Sequence, residues 1–444
     1  MVMERVELNN NKSRNTQCSL DGDPKIGWLC NKNGLLLKTY AWIVKNSIGN
    51  ILLIHGFKAH ARLVFMRINL KMPNDDGDVV VDNNNYYIYK DSWIEKFNQN
   101  GYSVYTLDLQ GHGESQGWKN GKGDINCFDD IVDDVIQYMN HIQNNTSNDN
   151  QKDDKYHNTV TNKKKKLPMY IIGHSMGGNI ALRILQLLGE EKEYRIKTQS
   201  SNNYKNYNTM LNNSTNINGN ANGVVKDMIN GKYNMNNANF FTNSNGYGPD
   251  NSYASISTTT NAIASDKDER SYNYLDKLNI KCCISLSGMM RLKTTWNAGN
   301  TSFKYLYLPI MNLLSLAAPE TRISSSSYKK SDYVANIYKH DKLRTDNGTK
   351  FKCLYELIKA TITLNCNINY MPKDIPLLFV HSIDDTVCCY NGSVLFYDKV
   401  NVNKKELHIV DGMNHAITLE PGNENILKKI IDWICNLRTN DEDE

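Results

Sequence analysis

Apolar residues in this chain fall into two alternating kinds of segment. Strand-length runs occur at Asn50–Ile54, Tyr102–Leu107, Met169–Ile172, Ile280–Leu286, Pro376–Val380 and Glu406–Val410. Between them lie stretches of helical spacing. These are Trp93–Asn100, stopped by Gly101, then Phe128–Met139, the residues from Ile180 onward, Val394–Val400 and Ile426–Leu437. A short run that is apolar throughout fits a strand buried on both faces, and a 3.6-residue repeat fits a helix covering one face. Ahead of them, Trp28–Cys30 and Leu35–Val44 flank Asn33–Gly34, the dipeptide favoured in type I′ turns, which predicts an opening hairpin. Strands alternating with helices predict an α/β fold with a mostly parallel, doubly wound sheet. Functional residues of such sheets gather at the carboxyl ends of the strands. Residues 291–370 have mixed character and yield no clear strand.

Three polar stretches break the pattern, at 71–85, 141–166 and 190–272, rich in Asn with Lys, Ser, Thr and Tyr. Such tracts bury too little apolar surface to offset their ordering entropy, so they are expected to be solvated, mostly disordered loops. With a polar tail at 1–22 and an acidic tail at 438–444, the 444 residues reduce to one domain over 23–437 that carries insertions. Charge adds little. Lys and Arg number 51 against 47 Asp and Glu, a net +4, and the Lys163–Lys166 run lies inside a polar tract. No basic stripe interleaved with aromatics points to a nucleic-acid partner. The ten cysteines show no C-x-x-C or zinc spacing, and Cys282–Cys283 and Cys388–Cys389 fall in or beside core strands. That usage favours a reducing, cytoplasmic compartment. The first residues hold no apolar h-region and no myristoylation glycine, and the apolar stretch Tyr305–Ala318 is too short to span a bilayer.

The candidate chemistry starts at Gly173-His174-Ser175-Met176-Gly177, a G-x-S-x-G pattern between the apolar run Met169–Ile172 and the helical spacing from Ile180. A strand, a tight turn and a helix in that order make a nucleophile elbow, which lifts a serine hydroxyl out of the backbone. The glycines two before and two after the serine let strand and helix approach. A serine hydroxyl needs a base, and the base needs an orienting carboxylate; after an elbow, the acid and then the histidine follow in chain order. His340, His381, His408 and His415 lie downstream. His415 sits in D-G-M-N-H-A, just past a strand end, and is the candidate base. His381 precedes the candidate acid, and His408 lies inside a strand. The loop V-H-S-I-D-D-T-V-C offers Asp385 and Asp384, of which Asp385 fits better because Thr386, Val387 and Cys388 supply the short apolar return. Acyl transfer also needs two backbone N–H donors for an oxyanion. Met176 supplies one, and Phe57, after the strand end at His55–Gly56, supplies the other. A metal reading of His55, His60 and His112 lacks ligand spacing, and no metal or cofactor is called for.

With these pieces placed, H-G-F-K-A-H at 55–60, D-L-Q-G-H-G-E-S at 108–115, G-H-S-M-G-G at 173–178, S-I-D-D-T-V and G-M-N-H resemble the monoglyceride lipase/lysophospholipase family of serine α/β-hydrolases. The Asn-rich insertions and M-N-H-A-I-T-L-E-P-G-N-E resemble its malaria-parasite lysophospholipase and esterase branch. The resemblance runs from Trp28 to Leu437 outside the insertions. It implies an α/β-hydrolase fold with a helical cap over roughly 291–370, in which 303–317 would shelter an acyl chain and make at most peripheral membrane contact. It also implies scaffold roles for Asp108 and His112. One departure is I-Y-K-H-D-K-L at 337–343, where Lys342 replaces the proline common in relatives. The function implied is hydrolysis of a small-molecule ester, a lysophospholipid or monoacylglycerol, through Ser175, His415 and Asp385. Short-chain or xenobiotic esters, protein thioesters, and an inactive hydrolase fold that only binds are the alternatives. Sequence does not give the oligomeric state.

Overall fold

Eight strands make the central sheet: β1 (Lys25–Cys30), β2 (Leu36–Trp42), β3 (Gly49–Ile54), β4 (Tyr102–Leu107), β5 (Met169–His174), β6 (Ile280–Leu286), β7 (Leu377–Ser382) and β8 (Lys405–Val410). The computed structural model that shows them describes residues 20–71, 79–80, 85–149, 166–214, 278–293, 308–323, 331–345 and 347–442. The strand order is β1-β2-β4-β3-β5-β6-β7-β8. The β1–β2 and β2–β4 pairs are antiparallel and every other pair is parallel. This is the mostly parallel α/β sheet that the alternating pattern predicts.

Successive residues of the inner strands face opposite sides, and both sides are covered. Leu52, Ile54, Ile171, Cys283, Leu377 and Phe379 pack with α3 (Phe128–Asp149), α4 (Met176–Ser214) and α8 (Tyr390–Lys399). Ile51, Leu53, Ile172, Cys282, Leu378 and Val380 pack with α1 (Ala61–Phe65), α2 (Trp93–Gln99) and α9 (Asn423–Glu442). The period-two alternation splits the Cys282–Cys283 pair between the two cores, where each thiol fills apolar space.

Two compact units emerge, residues 1–190 with 274–444 and residues 191–273. The sheet belongs to the first. In the second, residues 191–214 are helical, with Arg195 paired to Glu191 one turn earlier. Three boundaries differ from the sequence expectation. Helix α3 continues through Asp149 and α4 through Ser214, so the tracts expected to be loops from 141 and 190 begin as helix. Extending a nucleated helix costs little even where its residues are polar. Likewise α9 runs through Glu442, into the stretch expected to be an acidic tail. The remainders of those tracts, with residues 1–19, 72–78 and 294–307, lie outside the described residues. Gln143, inside the supposed loop, is buried and donates from Nε2 to the carbonyls of Leu167 (3.0 Å) and Leu278 (2.7 Å). It thereby pins the two points where the chain returns to the sheet after 150–165 and 215–277.

The opening hairpin forms, but without a two-residue turn. The ladder runs to Cys30–Leu36, Asn31 N donates to Leu35 O at 2.9 Å, and Gly34 N closes a turn on Asn31 O at 3.0 Å. The loop is therefore three residues, 32–34, with Gly34 left-handed at φ +78°, and Asn31 Oδ1 braces it by accepting from the amides of Asn33 and Leu35 at 3.0 and 2.8 Å.

The crossover from β6 to β7 holds α5 (Leu308–Ala317), α6 (Asp332–His340) and α7 (Phe351–Cys366). It also holds a two-residue ladder, Arg322–Ile323 on Thr349–Lys350, where no strand was expected. Met311 and Ile358 centre a small apolar cluster there with Leu314, Leu354 and Ile362. The opposite face of α5 exposes Ile310, Leu313 and Leu316.

Candidate active site

The carboxyl ends of β3, β5, β7 and β8 lead into His55, Ser175, Asp385 and His415, so the sheet gathers the predicted residues along one edge. Ser175 stands between β5 and α4 with φ of +56°, a left-handed conformation that costs an L-residue about 1–3 kcal/mol. Its backbone is held from the next strand: its N–H donates to Leu286 O at 2.8 Å, and its carbonyl accepts from Met289 N at 2.9 Å. A Cβ on Gly173 would lie 2.2 Å from Gly177 O, and one on Gly177 would lie 2.2 Å from Ile54 O. Only glycine fits at either place, which is the physical content of the motif.

Ser175 Oγ donates to His415 Nε2 at 2.8 Å, and His415 Nδ1 donates to Asp385 Oδ2 at 2.7 Å. The other Asp385 oxygen accepts from the Val387 and Cys388 amides, both at 2.8 Å. Burial works against ionisation of Asp385, but the His415 charge and the hydrogen bonds from His381 and His415 hold its carboxyl well below the usual range. Asp384 turns away, accepting from Gly412 N at 2.8 Å. His174 donates from Nε2 to the His415 carbonyl at 2.9 Å, so the elbow steadies the loop that carries the base. Burial, and then the His415 charge, push the His174 imidazole down to about 3, which keeps it neutral.

A family model described as "Serine aminopeptidase, S33" matches residues 83–197 and 271–422, more than half of the chain. The chain belongs to this family. An uncharacterized abhydrolase domain-containing protein of Dictyostelium discoideum is 32% identical over 133 residues, which is 29% of this chain and 14% of that protein. The chain thus spans a small part of that relative. Solved structures share the fold. One is a soluble variant of monoglyceride lipase from Saccharomyces cerevisiae in complex with a substrate analog, with TM-score 0.53 and 17% identity over 94% of this chain and 95% of that one. A carboxyl esterase from Bacillus coagulans in complex with glycerol has TM-score 0.51 and 14% identity over 93% and 98%. The Paleococcus ferrophilus monoacylglycerol lipase has TM-score 0.50 and 14% identity over 90% and 99%. At such identities these establish the α/β-hydrolase fold of this S33 chain.

The loop at 55–60 lies against the elbow, where a Cβ on Gly56 would sit 2.9 Å from Ser175 Cβ. His55 is fully buried; its Nε2 accepts from Leu109 N at 2.9 Å, so Nδ1 carries the hydrogen and donates to Gly56 O at 2.8 Å. Burial, reinforced by nearby His112, lowers its pKa far below that of a free imidazole. The amides of Phe57 and Met176 donate to no acceptor among the described residues. Met176 also opens α4, at the positive end of the helix dipole. The Phe57 ring packs edge-on against His112, which donates from Nδ1 to Gln110 O at 2.9 Å. Asp108 accepts from the Ala61 and Glu114 amides at 3.0 and 2.9 Å, bonds that hold loops together.

Several partners escaped the sequence reading. His60 and Asp341 are fully buried side chains joined at 3.1 Å, and Tyr87 Oη donates to the same carboxylate at 3.0 Å. Burial would raise the Asp341 carboxyl, but His60 and the Leu343 and Arg344 amides keep it below its usual value. The same amides close the turn at Asp341 with Lys342 in the place where relatives often have proline. Lys58 reaches the crossover as well, donating to Asn347 O. Asn414 Oδ1 ties the acid and base loops, accepting from Thr386 Oγ1 at 2.7 Å and His415 N at 2.8 Å. Its own N–H donates to Glu420 at 3.0 Å. Nothing local in the sequence announces bonds across such separations.

Proposed function

We propose that this protein hydrolyses carboxylic esters through an acyl-enzyme, with Ser175 as nucleophile, His415 as base and Asp385 as its orienting acid. The observation that carries the reading is the unbroken hydrogen-bonded line from Ser175 Oγ through His415 to Asp385 Oδ2. His415 Nε2 takes the hydroxyl proton as Ser175 attacks the ester carbonyl. The N–H groups of Phe57 and Met176 receive the oxyanion that develops. His415 then protonates the leaving alcohol, and water, activated by the same imidazole, frees the acid. Asp385 keeps the hydrogen on Nδ1 and stabilises the imidazolium. No step calls on a cofactor.

The substrate class proposed is a lysophospholipid or monoacylglycerol, with the β6–β7 crossover as the cap. The exposed apolar face Ile310, Leu313 and Leu316 on α5 supports a lipid acyl chain. The resemblance of the Asn-rich insertions and of M-N-H-A-I-T-L-E-P-G-N-E to malaria-parasite lysophospholipases supports the same reading. No helix among the described residues is long and apolar enough to cross a membrane, so contact with lipid would be peripheral.

A fluorophosphonate probe is expected to label the wild-type protein and not Ser175→Ala; persistent labelling of the variant would remove Ser175 from its role. A panel of lysophospholipids, monoacylglycerols, p-nitrophenyl esters of graded length, an acyl thioester and an aminoacyl anilide then fixes the bond. Turnover confined to the short p-nitrophenyl esters, the thioester or the anilide would replace the lipid reading.

A further inference from the structure

Asp385 does not serve His415 alone. The oxygen that His415 Nδ1 meets at 2.7 Å lies 3.2 Å from Nε2 of His381, at the end of β7. Both side chains are buried. Neighbours determine the hydrogen on His381. Its Nε2 faces two acceptors, Asp385 Oδ2 and the Cys388 carbonyl at 3.3 Å, so Nε2 must carry the hydrogen. Its Nδ1 faces Ser393 Oγ at 2.7 Å, where a hydroxyl can donate. A hydrogen on Nε2 serves both acceptors, and α8 braces the ring through Ser393, whose hydroxyl also meets Met290 Sδ at 3.4 Å.

We propose that His381 is a positioning residue for the acid, donating to Asp385 Oδ2 so that it fixes the carboxylate's rotation and tempers the charge that His415 meets. This rests on the Ser175–His415–Asp385 reading above. A carboxylate that loses one donor becomes a stronger partner for those that remain. Deleting the His381 donor therefore tightens the pairing of Asp385 with the His415 imidazolium and raises the pH at which His415 gives up its proton. Other groups around Asp385 do not stand in for it. Lys293 Nζ bonds the main-chain oxygen of Asp385 at 3.1 Å, not its carboxylate. Glu420, from beyond the base loop, and His174, from β5, act on it through space, as does the protonated Cys388 thiol of its own loop. Asp384 faces Gly412.

The test is an NMR titration of the free protein that follows the downfield Nδ1 proton of His415, alongside the acid limb of kcat/KM for an ester. His381→Phe is expected to raise both midpoints by about half a pH unit or more. Its kcat/KM should fall about tenfold, with KM changed less than about twofold. His381→Gln places an amide donor near the same point and is expected to stay close to wild type in both. Ser393→Ala, which loosens the ring without touching Asp385, is expected to shift the midpoints the same way by less, and it decides the matter should His381→Phe fail to fold. Unmoved midpoints in His381→Phe and Ser393→Ala overturn the proposal, as does a glutamine variant displaced as far as the phenylalanine one. A wild-type protein that turns over no ester counts against the proposed function, while the NMR midpoints still decide the role of His381.

Discussion

Adjacent aspartates show how much one residue of register matters here. Asp385 faces His415 and Asp384 faces Gly412, although both belong to one turn. Asp385→Asn reverses the hydrogen-bond demand on Nδ1 and is expected to lower kcat about 10³- to 10⁴-fold, while Asp384→Asn should stay within about threefold. Steady-state turnover of one ester by both variants checks this. Elsewhere, Asp134 is buried on α3 with the Asn31 side chain beside its carboxylate. Burial, with Asp130 and Asp133 nearby, raises its pKa to about 7 against the opposing effects of Asn31 and Lys32. A raised carboxyl means the folded chain keeps a proton that the unfolded chain gives up, so between pH 4 and 7 this group makes stability fall as pH rises. Asp134→Asn is accordingly expected to match wild type near pH 4 and to gain on the order of 2 kcal/mol at pH 8. Urea unfolding at the two pH values reads the difference.

Helices and strands differ in how plainly their limits are written. The inner strands could be placed because both faces are buried, so apolar character stops where the strand stops. Helix α3 could be placed only where it touches the sheet; past Ile142, which continues the apolar repeat of Val135 and Met139, its residues from Gln143 to Asp149 are polar and carry no repeat to follow. Gln143 is the exception within that stretch, and its burial was invisible because its two acceptors, Leu167 and Leu278, come from distant parts of the chain. Gln143→Leu removes both bonds and leaves two carbonyls unsatisfied; a loss of about 2 kcal/mol is expected, with kcat unchanged because the site lies at the other edge of the sheet. Thermal unfolding together with an ester assay separates these two outcomes. The same physics governs the candidate site. Ser175, Asp385 and His415 were legible through order and spacing, whereas His60–Asp341, Asn414–Thr386 and His381–Asp385 depend on loops meeting only after the sheet has formed.

Across the whole first unit, the helices run back against the strands, so α3 ends at the edge of the sheet opposite Ser175. The chain leaves the described fold at Asp149 and re-enters at Lys166, and each side of that gap holds four of the eight sheet strands. A break placed there severs no sheet hydrogen bond, and the β3–β5 ladder, Asn50–Met169 through Ile54–Gly173, becomes the seam between two pieces. On the proposed mechanism neither piece is complete alone: one carries Phe57, the other Ser175, Asp385 and His415. Co-expressed as 1–157 and 158–444, they are expected to reassemble and restore covalent labelling of Ser175 that neither fragment shows alone; inert mixed fragments would contradict this. The polar tract that interrupts the hydrophobic pattern would then mark where the enzyme can be converted into a two-part reporter, its signal dependent on the meeting of two chains.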